Sequence, residues 1–180
     1  MRKVLLAFCL SLISWAAFAA SQSGGFGFSV DFIPTVQNAA YSSGNSLGGL
    51  QKVPFFSGTV TPSGILNNIA VWSKGGSTTA MTLYIFESLP SASTTCTDKS
   101  AFVLAAGDIV KLIETIPPVL TPAIVGTGTT ATAASQQLPV ATNNGDSPFT
   151  NFLYVCIVAG GTVTPASTTD LVFSFAGTQD

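Results

Sequence analysis

The chain has 180 residues, enough for one domain with a sizeable core, and only 8% of them are charged against 47% hydrophobic. That balance is the reverse of the signature of disorder and leaves a surface rich in hydroxyls instead of charges, with little electrostatic protection against association. There is no histidine, and beyond Arg2 and Lys3 the only cations are Lys52, Lys74, Lys99 and Lys111, set against eight carboxylates. Nucleic-acid binding needs clustered cations to displace counterions from phosphates, so it is excluded.

Met1-Arg2-Lys3, the apolar run Val4–Phe18 and the small residues Ala19-Ala20 read as the parts of an export signal, a short hydrophobic helix over 1–20 cut after Ala19 or Ala20. The run is short for a membrane-spanning helix, so no membrane association is expected once the leader is cut. Residues 21–180 then form one domain, without internal repeat or linker.

Along that domain the hydrophobic pattern is that of strands. Phe26, Phe28, Val30 and Phe32 alternate with Gly27, Ser29 and Asp31, and Met81, Leu83 and Ile85 alternate with Thr82, Tyr84 and Phe86. Leu171, Phe173 and Phe175 alternate with Val172 and Ser174, while Leu153–Ala159 is apolar on both faces and reads as a central strand. Val53–Val60, Ile65–Ser73, Ala123–Val125 and Gln137–Val140 are weaker strand signals. Asp108–Glu114 reads as a helical turn capped by Asp108 that runs into a strand stopped at Pro117-Pro118. Gly126–Ala134 reads as an exposed loop. Turn clusters such as Ser42-Ser43-Gly44-Asn45 and Lys74-Gly75-Gly76-Ser77 separate the runs. Short strands with frequent turns make an all-β sandwich or barrel.

Catalytic chemistry is sparse. Without histidine there is no Ser-His-Asp triad and no His-based proton transfer. Gly44-Asn45-Ser46-Leu47-Gly48 matches G-x-S-x-G, but a nucleophile elbow needs a strand before, a helix after and a base, so Ser46 reads as a loop residue. Asp31, Glu87, Asp98, Asp108, Glu114, Asp146 and Asp170 are scattered at turns and polar strand positions, where Asp usually shapes the backbone. Asn143-Asn144-Gly145-Asp146 is an Asx turn and not a calcium loop, since it lacks the spaced acids. No metal or other cofactor is expected: two cysteines without histidine make no zinc site.

If the leader is removed, Cys9 goes with it and Cys96 and Cys156 remain, an even pair that in an exported protein reads as one disulfide; the alternative is one buried and one exposed thiol. Tyr41, Trp72, Tyr84 and Tyr154 are the aromatics able to form a sugar-stacking or protein-binding face, against the more usual role of covering a sheet.

One further signal is the order of short motifs: Ala39-Ala40-Tyr41, Gly44-Asn45, Leu47-Gly48-Gly49-Leu50, Ser63-Gly64-Ile65-Leu66-Asn67, Leu83–Pro90, Thr94–Asp98, Leu153-Tyr154-Val155 and Ser167–Leu171. In that order they resemble small virion proteins of tailed bacteriophages and prophages that decorate or cement capsids. The resemblance implies a jelly-roll-like β-sandwich that self-associates, often as a trimer, and clasps a capsid or other protein lattice without catalytic residues. The leader departs from that pattern, because capsids assemble in the cytoplasm. A non-enzymatic structural protein of the virion surface is therefore the first expectation. An exported, extracellular or periplasmic module that recognises glycans or a cell surface is the second.

Overall fold

The computed structural model describes residues 26–54, 63–75, 79–120, 123–124, 131–133, 138–141 and 152–179. The leader, most of the Val53–Val60 run and the Asn143–Asp146 turn lie outside them. Among the described residues ten strands follow one another: β1 (Phe26–Phe32), β2 (Gln51–Pro54), β3 (Ser63–Ser73), β4 (Met81–Phe86), β5 (Leu112–Leu120), β6 (Ala123–Ile124), β7 (Ala131–Ala133), β8 (Leu138–Ala141), β9 (Phe152–Ala159) and β10 (Leu171–Gln179). A 3-10 turn, Ala106–Lys111, precedes β5.

The strands form two sheets. One has the order β1-β10-β3-β6, with β7 and β8 also pairing with β3, and the other the order β2-β9-β4-β5. The chain crosses from one sheet to the other at β1–β2, β2–β3 and β3–β4, and returns the same way around β5 and β9. That winding, in which each sheet places its last strand beside its first, is the double Greek key of a jelly roll. The expected sandwich is the observed architecture.

Between the sheets lies the core. Met81, Leu83 and Ile85 of β4, Leu153, Val155 and Ile157 of β9, and Leu171, Phe173 and Phe175 of β10 are all fully buried in one cluster. These are the alternating positions of the sequence, because successive side chains of a strand point to opposite faces. Val30 and Phe32 of β1 pack against the cluster, and the Phe32 ring lies 5.2 Å from those of both Phe173 and Phe175, stacked on the first and edge-on to the second.

Two irregularities follow from local sequence. In β3 the inward residues Leu66 and Ile69 are three apart, which strict alternation forbids. The register slips at Asn67, where Ala176 pairs with Asn68 and Gly177 with Leu66, and this bulge returns both side chains to the core. In β5 the expected stop at Pro117-Pro118 does not occur, since the strand runs to Leu120. β5 pairs only with β4 in its sheet and forms its edge, and neither proline has a partner in the β4 register, so their missing N–H groups cost no ladder bond. The extra residues are absorbed as a bulge between the pairs Leu83↔Ile116 and Met81↔Leu120. The reading of Gly126–Ala134 as loop is also corrected: Ala131–Ala133 forms β7, antiparallel to Ile69–Val71 of β3. Alanine and threonine carry no alternation there, so pairing with β3 decides the conformation.

Candidate functional site

The sheet β2-β9-β4-β5 is apolar on its outer face as well. Phe86 of β4 and Tyr154, Cys156 and Val158 of β9 form a second buried cluster, joined by Leu50, Tyr84, Cys96, Phe102, Leu104 and Leu112. What covers it is the connection between β4 and β5, Glu87–Lys111, which supplies Cys96, Phe102 and Leu104. The Phe102 ring sits 4.3 Å from that of Tyr84. The two-sided apolarity of Leu153–Ala159 thus has its cause: β9 is buried by the opposite sheet on one side and by this cover on the other.

Four devices hold the cover. The first is covalent: Cys96 and Cys156 are joined by a disulfide across a sequence separation of 60. Closing a loop of that size removes enough unfolded-state freedom to contribute about 4 kcal/mol in the chain-entropy model. The second is backbone pairing. Thr95 and Val103 exchange hydrogen bonds across the cover, which then abuts the segment Gly44–Leu47 through Ser46 N–H to Ser100 O (2.8 Å), Lys99 N–H to Ser46 O (2.8 Å) and Phe102 N–H to Gly44 O (2.9 Å). That segment bonds on its other side to β9, through Leu47 N–H to Ile157 O (2.8 Å) and Ala159 N–H to Asn45 O (2.9 Å).

The third device is Asp108. It is not the cap of a helix, as its position before an apolar run predicts, but a buried hub inside the 3-10 turn. Its Oδ2 accepts from the Ser91 backbone N–H (2.9 Å), the Ser91 hydroxyl (2.7 Å) and the Thr94 hydroxyl (2.6 Å). Lys111 Nζ lies 3.1 Å from Oδ1 and also donates to Leu89 O at 2.8 Å. The hydrogen bonds from Thr94 and Ser91, ahead of the contact with Lys111, hold the carboxyl well below the usual carboxylate range. The fourth is Asp98, whose Oδ1 accepts from the Tyr41 hydroxyl at 2.8 Å and the Gly48 N–H at 2.7 Å. Gly48 has a φ of +72°, and a Cβ there would come 2.6 Å from Pro34 Cβ, so only glycine delivers that N–H.

The nominated aromatics do not form one face. Tyr41 is fully buried in the core between the sheets, and its hydroxyl accepts from Gln37 N–H while donating to Asp98. Tyr84 and Tyr154 lie beneath the cover, Tyr154 being buried and Tyr84 half-buried. Trp72 stands alone on β3 of the other sheet, on the side opposite buried Val71, half-exposed. Ser46 is buried, with its hydroxyl 3.7 Å from the Cys156 sulfur. With the hydroxyl fully buried, Ser46 is not presented to solvent as the Ser of a nucleophile elbow is.

Asp170, one of the scattered carboxylates that the sequence assigns to shaping the backbone, does so. Fully buried at the start of β10, its carboxylate accepts from the Ser73 hydroxyl (3.1 Å), the Ala166 N–H (3.1 Å) and the Gly75 N–H, and so organises the turns after β3 and before β10. The signal available was an Asp just ahead of an apolar strand, preceded by the hydroxyl run Ser167-Thr168-Thr169. Among the described residues, no three His, Cys, Asp or Glu side chains gather as a metal site would require, and no helix is long and apolar enough to cross a membrane.

Fold and site together define a jelly-roll sandwich with one outer face sealed by a disulfide-stapled connection. No protein-family model and no curated protein matches the chain. Among solved structures, a similar chain comes from "Structure of infectious bursal disease virus Gt strain", at 16% identity and a TM-score of 0.25. The match covers 88% of this chain and 32% of that one, so this chain spans about a third of its length. A likeness at that level carries no argument about function.

Proposed function

We propose that this chain is a non-enzymatic structural protein that acts by self-association and surface binding, in the manner of the phage capsid decoration proteins it resembles. The observation that carries this reading is how the chain uses its buried and half-buried polar groups. Asp98, Asp108 and Asp170 each accept hydrogen bonds that fix a loop, and the Ser46 hydroxyl faces a disulfide sulfur. Groups that in an enzyme would face a substrate here hold connections in place. The surface supports the same reading: Leu89, Val103, Ile109 and Val110 of the cover are exposed, in a chain with few charges to keep copies apart. The partners are other copies of the chain, as a trimer in the family it resembles, and a capsid or similar protein lattice. Nucleic acid is excluded by charge, and no cofactor is required.

Sedimentation velocity over a range of concentrations tests the proposal. A discrete homo-oligomer that co-sediments with capsid particles is expected. A protein that stays monomeric and leaves particles bare overturns it.

A second reading is favoured by one specific observation, the disulfide, which belongs to oxidising compartments. In it the sandwich is an exported binding module that meets glycans or a cell surface. Glycan-array binding of the oxidised protein, lost on Trp72→Ala, would select this reading. An array without signal would leave the first.

A further inference from the structure

We infer that the connection Glu87–Lys111 is a redox-latched cover, tightened over the outer face of its sheet by the Cys96–Cys156 disulfide and loosened when a dithiol reduces it. The inference does not depend on which partner the protein binds.

Three features of the molecule converge on it. First, the disulfide ties the cover to the middle of the domain and not to another surface loop: Cys156 is fully buried at the centre of β9, whereas Cys96 is partly exposed in the cover. Second, apart from this bond and the 3-10 turn, the cover has little regular structure. Its own backbone pairs at the Thr95↔Val103 bridge and in short turns, and it meets the rest of the domain through three backbone hydrogen bonds to Gly44 and Ser46, with no strand of its own in either sheet. Segments held by few buried backbone bonds open at low free energy, so a covalent tie has its largest effect on them. Third, the freed buried sulfur would have a polar partner, since the Ser46 hydroxyl already lies 3.7 Å from Cys156 Sγ. The four-stranded sheet beneath keeps its own ladders, β2–β9, β9–β4 and β4–β5, none of which uses the disulfide.

The exchange follows from the difference in exposure. One thiolate of the dithiol attacks Cys96 Sγ, the accessible sulfur, forming a mixed disulfide as the S–S bond breaks. Cys156 leaves as a thiolate, takes a proton and hydrogen-bonds with Ser46. The second thiolate of the dithiol then attacks its own sulfur in the mixed disulfide, releasing Cys96 as a thiolate that is protonated. Two electrons and two protons pass to the protein, and the dithiol becomes a cyclic disulfide. The product has the cover held by its backbone hydrogen bonds to Gly44 and Ser46, by Asp108 and Asp98 and by its apolar contacts, but no longer covalently, with Tyr84, Phe86 and Tyr154 beneath it. In a reducing compartment the face is then loosely covered, and in an oxidising medium it is locked.

Hydrogen exchange read peptide by peptide, on the full chain before and after treatment with dithiothreitol, tests this. Mass measurement of alkylated thiols follows the reduction in parallel. Expected are two new thiols, Cys96 labelling before Cys156, and exchange in residues 91–104 faster by about tenfold while β3 and β10 change by less than about twofold. The C96S/C156S variant should exchange like the reduced protein, and reoxidation of the wild type should restore protection. The inference is overturned if the folded protein resists the dithiol, or if reduction leaves 91–104 as protected as before. It is equally overturned if every strand loses protection together or the double variant does not fold, because the disulfide would then staple the whole domain.

Discussion

The hydroxyl of Tyr41 donates to Oδ1 of Asp98 at 2.8 Å, across 57 positions of sequence, and so joins the core between the sheets to the cover on the outside of one of them. The same hydroxyl accepts the Gln37 N–H, and the same carboxylate oxygen accepts that of Gly48, so one short chain of hydrogen bonds fixes three loops. Removing the hydroxyl by Tyr41→Phe leaves the Gln37 N–H without its acceptor and Asp98 short of one donor. A loss of about 1–2 kcal/mol is expected in chemical denaturation, with an unchanged denaturant slope.

Tyr41 also carries a pH signature. Burial, reinforced by the hydrogen bond and the charge of Asp98 and opposed by the Gln37 N–H, raises its phenol from 10.0 to about 12. The folded state therefore favours the neutral phenol. Stability from this group is fully present below pH 10.0 and is lost as the pH rises through about 12. Ultraviolet titration should show one tyrosine ionising late, and Tyr41→Phe should remove that step.

Asp108 works in the opposite sense. Its carboxyl is held below the ordinary value of 3.8 by Thr94 and Ser91, so the ionised form is favoured in the fold. The stability it contributes is present above pH 3.8 and is lost only as the solution turns more acidic than that, through the lowered value. Exchange in the cover should thus stay slow through mildly acidic conditions and quicken in strong acid. Asp108→Asn should leave the cover loosened at neutral pH and flatten that acid dependence.

Gly75 marks a close approach of two turns. A Cβ there would collide with that of Ala166 and come within 3.1 Å of both Asp170 carboxylate oxygens. Gly75→Ala should cost about 1–3 kcal/mol by overpacking. Gly107→Ala, in the 3-10 turn with open space around the added carbon, should change stability by less than about 0.5 kcal/mol. Thermal melts of the two variants side by side make the comparison.

In the core, Phe173→Ala removes a fully buried ring that stacks on Phe32, and should cost about 3–5 kcal/mol. Val110→Ser, at a side chain that is 82% exposed, should stay within about 0.5 kcal/mol of the wild type.

Much of this was legible in the residues, and the division follows from the range of the interaction involved. Alternation marked β1, β4, β9 and β10, because the pleat converts a one-sided environment into a period of two. The apolarity of β9 on both faces showed that it is central, and the cysteine pair appears as a disulfide. The phenol of Tyr41, by contrast, stands between the usual sheet-covering role and a binding face until Asp98, 57 positions away, is brought beside it. Tyr84 and Tyr154 looked available because nothing local shows that Glu87–Lys111 folds back over them. Asp108 looked like a cap since its partners, Ser91 and Thr94, precede it by more than a helical turn. Proline's usual veto failed in β5 because a strand's place in its sheet is not written in its own residues.

The order of the strands has a consequence for how the molecule comes into being. β10 lies between β1 and β3, and β9 between β2 and β4, so in each sheet the strand that joins the first to the rest comes from residues 152–179. Until that stretch has left the ribosome or the translocation pore, β1 has no neighbour in its sheet and β2 none in its own. Contacts of such long sequence separation are slow to form, because the entropy of closing the loops must be met before pairing rewards it. Folding of this chain is a late event that waits on its last strands. A truncation within them would leave the earlier strands with unpaired edges open to aggregation.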